Sequence, residues 1–400
     1  MPIAVLTAGT VRRRLVPLAC VLALGAGAAV AGGGSATAQT RTAAATSSVT
    51  TLAPGVTYWR DSFRNSRGRT VEAVLLQAKL GRHVTLQART PGQLIGLQRQ
   101  TLSALAKRAG AIGGINGDFF DLYSDTAPPR GGVINNSRVL KSPRLNRLAN
   151  LYVRADGHAA IGAVPYVYSL SRAATTGRRA VTHSIYSLNS ADDATNDHVV
   201  LINSTLASGD LYRGCEVASG HTVKGVQSIT ALARTRSVAR PATGTWGLAA
   251  CGSSADWLRA NLRAGDRVTV SVSYPKGRPV VAIGGRRELV RNGLAYDDPT
   301  GSALSSWGPN PETFACVSKD GLTVLLGAID GRVRTSVGVT YDQLTTYLLH
   351  LKCWSGVVFD GGGSTEMVAK LPGASTLSVL NHPAAGAERP IPDALVVVTK

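Results

Sequence analysis

The chain is short of acid. Its 400 residues carry 24 Asp and Glu against 43 Lys and Arg, a net charge of +19. Lysine is scarce as well, with 9 residues, so the basic side is almost entirely arginine. A surface this basic attracts polyanions, such as phosphate-rich cell-envelope polymers or nucleic acid. The arginines are scattered, without an aromatic-interleaved stripe or a recognition-helix motif, and this argues against a nucleic-acid-binding module. Cysteine is limited to 5 residues, none in a C-x-x-C or other zinc spacing, which removes a structural zinc site. Internal repeats and heptads are absent, so solenoids and coiled coils are excluded.

No apolar run is long and unbroken enough for a permanent span of about 20 residues. The nearest is Leu15 to Ala31, which is glycine-broken and follows Arg12, Arg13 and Arg14. With Ala36-Thr37-Ala38 after it, residues 1–38 read as a secretory signal peptide. Its removal takes away three arginines and no acid, lowering the net charge to +16. The expected product is a secreted, extracellular protein with no membrane span. Four cysteines remain, Cys215, Cys251, Cys316 and Cys353, and outside the cytoplasm an even count suggests two disulfides. Three pairings are possible; the nearest neighbours in sequence, Cys215–Cys251 and Cys316–Cys353, are favoured.

Residues 39–50 are small and polar, a disordered leader, and residues 51–400 read as one domain. Strands are expected at Val56 to Arg60, Val71 to Ala78 and His83 to Leu86. Leu94 to Ala109 has helical spacing, closed by Gly110. Ala111 to Ile115 is a short apolar strand, and a hairpin follows around Asn136. Residues about 165–280 alternate short strands with polar loops, an elaborated middle region; Ser253 to Leu262 is a helix with Ser253 as its cap. Asp330-Gly331 is a hairpin dipeptide between Leu322 to Ile329 and Arg332 to Val337. Thr340 and Gln343 form a capping box for a helix carrying Leu344, Tyr347, Leu348 and Leu351. The fold class is α+β: a strand-rich mixed single domain with few helices.

Two stretches carry chemistry. In Val357-Val358-Phe359-Asp360-Gly361-Gly362-Gly363-Ser364-Thr365-Glu366, a buried strand delivers the Asp360 carboxylate into a glycine loop that lets a ligand approach the backbone. Asn116-Gly117-Asp118-Phe119-Phe120-Asp121 repeats the pattern of apolar strand, polar residues and glycine. Pro129-Arg130-Gly131-Gly132 follows and can hold Arg130 near the same site.

Taken in order with Gly284 to Gly293, Asp330-Gly331-Arg332 and Asn381-His382-Pro383 followed by Arg389, these segments resemble the phosphodiester glycosidase family over roughly residues 55–400. Glu312 stands where the family usually shows an arginine, Asp393 where it shows an asparagine, and the Ser-Asp usual after the Asn-His-Pro run is missing. The resemblance implies hydrolysis of a sugar-1-phosphodiester, so a carbohydrate or sugar-phosphate is the expected substrate. Cleaving a glycosidic bond needs two carboxyl roles around an oxocarbenium-like transition state. Asp360 is the expected base or nucleophile, with Glu366, Asp118 or Asp121 as the second carboxylate. Asn116 and Asn381 are expected to bind sugar hydroxyls, Arg130 and Arg389 the phosphate, and Gly361, Gly362, Ser364 and Thr365 to line the loop. A non-catalytic glycan-binding protein, or a glycosidase for another linkage, is the alternative. No cofactor is implied. The clusters Asp118/Asp121 and Asp192/Asp193/Asp197 could hold Ca²⁺ through hard oxygens, but none matches an EF-hand loop.

Overall fold

The computed structural model describes residues 48–65, 67–96, 98–123, 128–143, 149–207, 212, 214–234, 240–297 and 308–400. The expected signal peptide and most of the expected polar leader lie outside them. The end of that leader is not disordered: Thr50 opens the strand Thr50–Ala53, paired with Val56–Arg64.

Four sheets and four α-helices make up the described structure, strand-rich and α+β as the sequence predicts. The helices are α1 (Leu102–Ala109), α2 (Ala191–Thr195), α3 (Gly252–Asn261) and α4 (Tyr341–His350). None is long and apolar enough to cross a membrane. An eight-stranded antiparallel sheet has at its centre Thr70–Lys79, Thr323–Ile329, Glu312–Val317 and Ser355–Val358, side by side in that order. Successive strand residues face opposite sides, and here both sides are apolar. Val74, Leu76 and Ala78 enter one core, while Val71, Ala73 and Leu75 enter the other. The first core joins this sheet to two five-stranded sheets through Ile115, Leu151, Ile283, Phe359, Met367 and Leu395. The second lies under α4, where Leu344 and Leu348 meet Phe314 and Val358. The elaborated middle region forms an eight-stranded sheet of its own from Val167 to Ser273, with α3 packed on it through Leu258.

Several local expectations give way to tertiary contacts. The helix expected from Leu94 begins only at Leu102. Ile95 pairs with Leu206 and Gln100 with Ile391, and Thr101 caps α1 by accepting from the Ala104 N–H. Backbone pairing at the sheet edges wins over helical spacing. Asp330-Gly331 does not close a hairpin, because Thr323–Ile329 already has both edges filled, by Thr70–Lys79 and Glu312–Val317. Residues 332–337 leave the sheet instead. Ser253 is not the cap of α3. The N-cap is Cys251, and the Asp197 carboxylate reaches across to accept from Ser253 Oγ at 2.6 Å and the Ser254 N–H at 2.8 Å. The α4 capping box forms as predicted, with Thr340 and Gln343 bonded reciprocally. Both disulfides are present, Cys215–Cys251 and Cys316–Cys353.

Candidate active site

The strands Glu312–Val317 and Ser355–Val358 run antiparallel, with Phe314 opposite Val358. Phe359 N–H donates to Thr313 O at 2.8 Å, so the pairing continues past the strand end. Carried one step further, the register sets Glu312 opposite Asp360. Directly opposed residues have Cβ atoms about 4.5–5.5 Å apart and face the same side. That side is the one under α4, and a cleft of about 500 Å³ opens there at the helix N-terminus. Its wall carries Asp360, Glu312, Gly361, Gly362, Gly363, Thr340 and Tyr341; Phe119, Phe120, Leu122 and Tyr123 form an aromatic and apolar rim. Three arginines line it: Arg286, Arg332 and Arg389.

Both carboxyls are held against ionisation. Burial pushes Asp360 up to about 7; the Ser364 hydroxyl and the Arg389 charge oppose the shift, and the Asp118 charge adds to it. Burial likewise raises Glu312 to about 8, with the Asn310 hydrogen bond and the charges of Arg286 and Arg332 opposing and the Asp360 charge adding. Glu312 is 4% exposed, and Oε1 accepts from Asn310 Nδ2 at 2.9 Å. Its Oε2 and the Asn310 Oδ1 are buried without a partner.

The glycine loop is shaped by close approaches. A Cβ on Gly361 would lie 2.6 Å from Glu312 Oε2 and 2.8 Å from Pro311 O. Gly362 has φ +63° and lies beside the Arg332 guanidinium. A Cβ on Gly363 would overlap the Arg389 guanidinium, which also donates to Ser364 Oγ at 3.3 Å. Arg332 itself has φ +59°, a left-handed backbone for a non-glycine residue, of the kind that concentrates at functional sites.

The predicted second carboxylates lie elsewhere. Asp118 is buried behind Asp360; its oxygens accept from the backbone N–H groups of Gly131 and, at 2.7 Å, Phe119. Its own N–H donates to Asp393 Oδ1 at 2.8 Å. Asp393 is fully buried, Oδ2 has no partner, and burial with the Asp118 charge holds its carboxyl well above the usual range. Glu366 faces Glu388, away from the cleft lining, and Asp121 is exposed, closing its own turn by accepting from the Tyr123 N–H at 3.0 Å.

The two asparagines are spent on the scaffold. Asn116 donates to Asp360 O at 2.8 Å and accepts at Oδ1 from Thr313 Oγ1 and the Glu366 N–H. Asn381 donates to Thr365 O and accepts from the Met367 N–H. Ser364 and Thr365 are buried within the loop, and Arg130 is exposed and outside the cleft lining. Arg286, 4.8 Å from the Phe119 ring centroid, stands in the cleft where Arg130 was expected. Glu312 was singled out in sequence for reversing the charge of the family's arginine, whereas Arg286, Arg332 and Tyr341 were absent from the expected site. Arg286 and Arg332 fall within the quoted motif segments, whereas nothing local marks Tyr341.

Among the described residues, the acidic and histidine ligand atoms that converge are those of Glu72, Asp330 and His382, within 4.8 Å of one another. His382 Nδ1 lies 2.6 Å from Asp330 Oδ2, an ion pair when the ring is protonated. The acids of the expected Asp192/Asp193/Asp197 cluster are not in this group, and Asp197 is committed to capping α3.

A region holding the sheet end, α4 and the glycine loop coincides with a known family. Residues 244–398 match the phosphodiester glycosidase family. The Gly284, Asp330, Asp360 and Asn381 segments fall inside that match; the Asn116 and Pro129 segments lie before it. The structure joins them to it nonetheless, since the Asp118 carboxylate packs between Gly131 and Gly284. No curated protein matches the chain in sequence. Among solved structures, a hypothetical protein from Synechocystis is similar in fold, with a TM-score of 0.71 at 17% identity over 88% of this chain. The chain spans 64% of that protein's length. A Burkholderia pseudomallei protein gives a TM-score of 0.62 at 23% identity, covering 83% of this chain and 74% of its own. The catalytic domain of zebrafish N-acetylglucosamine-1-phosphodiester alpha-N-acetylglucosaminidase gives 0.46 at 13% identity, covering 88% of each chain.

Proposed function

We propose that this protein is a secreted hydrolase that cleaves the glycosidic bond of a sugar-1-phosphodiester in cell-envelope or extracellular glycans. The observation that carries the reading is the opposition of Asp360 and Glu312 in one cleft with three arginines. Glu312, raised to about 8, keeps its proton at neutral pH and is the general acid. Asp360, raised to about 7, is partly ionised there and is the base or nucleophile. A protonated and an ionised carboxyl flanking the scissile bond is the arrangement glycoside hydrolysis requires.

The sugar–oxygen bond breaks with its electrons going to the phosphate oxygen, and water supplies the hydroxyl at the anomeric carbon. Arg286, Arg332 and Arg389 neutralise the phosphate, since planar guanidinium forks match its oxygens. The glycine loop admits the diester close to the backbone, and the rim of Phe119, Phe120 and Tyr123 offers ring faces to the sugar or the group beyond the phosphate. The leader pattern, the two disulfides and the basic surface support export and a role among anionic envelope polymers.

The test is hydrolysis of sugar-1-phosphodiesters by the wild type, Asp360→Asn and Glu312→Gln. Asp360→Asn is expected to lose at least about 10³-fold in kcat while folding normally. A phosphate monoester is a good leaving group, so Glu312→Gln loses only about 10-fold on the diester but about 10²-fold or more on a simple alkyl glycoside. Substantial hydrolysis by Asp360→Asn, or binding of sugar 1-phosphates without turnover by the wild type, rejects the enzymatic reading; the latter outcome identifies a glycan-binding protein.

A further inference from the structure

Asn116 and Asn381 spend both ends of their side-chain amides on the scaffold. Asn310, in the cleft wall, spends only one. Its Nδ2 donates to Pro311 O and to Glu312 Oε1, each at 2.9 Å. A backbone carbonyl can only accept, so the atom facing Pro311 O is the nitrogen, and Oδ1 is the end turned away. That oxygen is buried with no hydrogen-bond partner among the described residues. An acceptor taken out of water with no donor in return is unfavourable. The backbone of Asn310 is bridged to Val339 in both directions, at 3.0 Å each way, which fixes where the amide stands.

Gly362 shows what Oδ1 faces. A Cβ on this glycine would meet Arg332 Nη1 at 3.7 Å, Asn310 Oδ1 at 3.8 Å and Arg332 Nη2 at 3.9 Å, and, chain neighbours apart, nothing nearer among the described residues. There is room for a ligand atom over Gly362, between an amide oxygen that accepts and a guanidinium that donates. The Gly362 N–H is tied to Pro311 O at 2.8 Å, so glycine and amide keep this spacing. The chemistry of the seat is selective. A phosphodiester oxygen brings no proton for Oδ1, and an ammonium would meet the Arg332 cation. A hydroxyl donates to the first and accepts from the second.

We infer that Asn310 is a substrate-binding residue which, with Arg332, seats one hydroxyl of the sugar over Gly362 and makes that hydroxyl a requirement for good substrates. Its bearing on turnover rests on the function proposed above; the seat itself does not. Arg332 carries five N–H donors, so it can serve the hydroxyl and the phosphate together. The Asn310 amide also touches Glu312, so the seat adjoins the reacting centre. A substrate lacking the hydroxyl leaves Oδ1 buried and unpaired in the complex. A site built to bond a hydroxyl rejects such an analogue far more strongly than an apolar pocket rejects a missing methylene.

The test is a cycle between substrate and side chain. Methyl phosphodiesters of glucose, galactose, mannose and N-acetylglucosamine, joined at C1 in both anomers, are screened with the wild type. The value of kcat/KM is then measured for the best of them and for its monodeoxy analogues, one for each hydroxyl. One analogue should lose about 100-fold or more in the wild type. In Asn310→Ala the same analogue should lose less than about tenfold against its parent. Loss of the Asn310 bond to Glu312 acts on every member alike and leaves these ratios unmoved. Gly362→Ala puts a methyl in the seat and should erase the distinction too, so the cycle survives if Asn310→Ala does not fold. A wild type in which no analogue loses as much as tenfold, or a penalty as large in the variants, overturns the inference while the hydrolase stands. If no diester is hydrolysed, the functional reading fails, and calorimetry with glucose 1-phosphate and its deoxy analogues decides the seat. Preference for one hydroxyl in the wild type, erased in Asn310→Ala, upholds it; binding indifferent to every hydroxyl, or no binding, overturns it.

Discussion

Gly363 lies under the Arg389 guanidinium so closely that any Cβ would overlap Nη2. The obstructing atom is the far end of a flexible side chain, so Gly363→Ala should fold and push the arginine aside. The expected outcome is a KM for sugar-1-phosphodiesters raised about 10-fold with kcat changed less than threefold, as for loss of binding shared by ground and transition states. Steady-state kinetics check this; an unchanged KM would mean Arg389 does not hold the anion. Glu312 shows how one residue's meaning depends on its neighbours. In sequence it reverses the charge of the family's arginine. In the structure Arg286 and Arg332 stand close enough for their charges to act on it, so the cleft stays cationic while gaining a proton donor.

At the level of elements, Cys316–Cys353 joins the end of the Glu312–Val317 strand away from Glu312 to the residues leading into the strand that delivers Asp360. The bridge closes a loop with a sequence separation of 37. Constraint of the unfolded chain by such a loop contributes about 4 kcal/mol in the chain-entropy model. Cys316→Ser with Cys353→Ser should therefore lower stability by roughly 2–4 kcal/mol in denaturant unfolding, and activity should fall only as folding does. The α4 capping box is an independent contribution: Thr340→Ala should cost about 1 kcal/mol. Features like that box were legible in the sequence because their chemistry is local. So were the buried strand before Asp360 and the existence of a hairpin near Asn136, although the turn falls on Asn136-Ser137, where both residues take positive φ, and not before Asn136. Glu312 opposite Asp360 was not legible, because it depends on the register between strands more than forty residues apart. Asn116 and Asn381 were recognised as important residues, but only their buried partners show that they brace the loop.

For the molecule as a whole, the buried acids set an unusual dependence of stability on pH. Asp360, Glu312 and Glu366 are raised to about 7, 8 and 9, and Asp393 is raised strongly. In the unfolded chain such groups ionise near 4. Between that value and the folded one, the native state binds more protons than the unfolded state, so stability falls as pH rises through the window. Asp197 and Asp266 have the opposite sign. Asp197 is held low by Ser253 and Ser254; for Asp266, burial is outweighed by the Arg178 and Arg263 hydrogen bonds and the Arg178 and Arg172 charges. Their contribution is lost below about pH 4. Thermal melts should therefore show a maximum near pH 5 and a continuous decline to pH 9. Asp393→Asn, which keeps the acceptor for the Asp118 N–H, should flatten that decline. A melting temperature that rises from pH 5 to pH 8 would contradict the assignment of these acids as protonated in the fold.

The pH dependence of kcat/KM on a sugar-1-phosphodiester, for the wild type and Glu312→Gln, tests the pairing at the centre of the cleft most directly. The wild type should give a narrow bell, rising through about 7 as Asp360 ionises and falling through about 8 as Glu312 loses its proton. In Glu312→Gln the alkaline limb should disappear and the rising limb remain. A wild-type profile without a rising limb, or a Glu312→Gln profile that keeps the alkaline fall, would show that these two carboxyls do not carry the reaction.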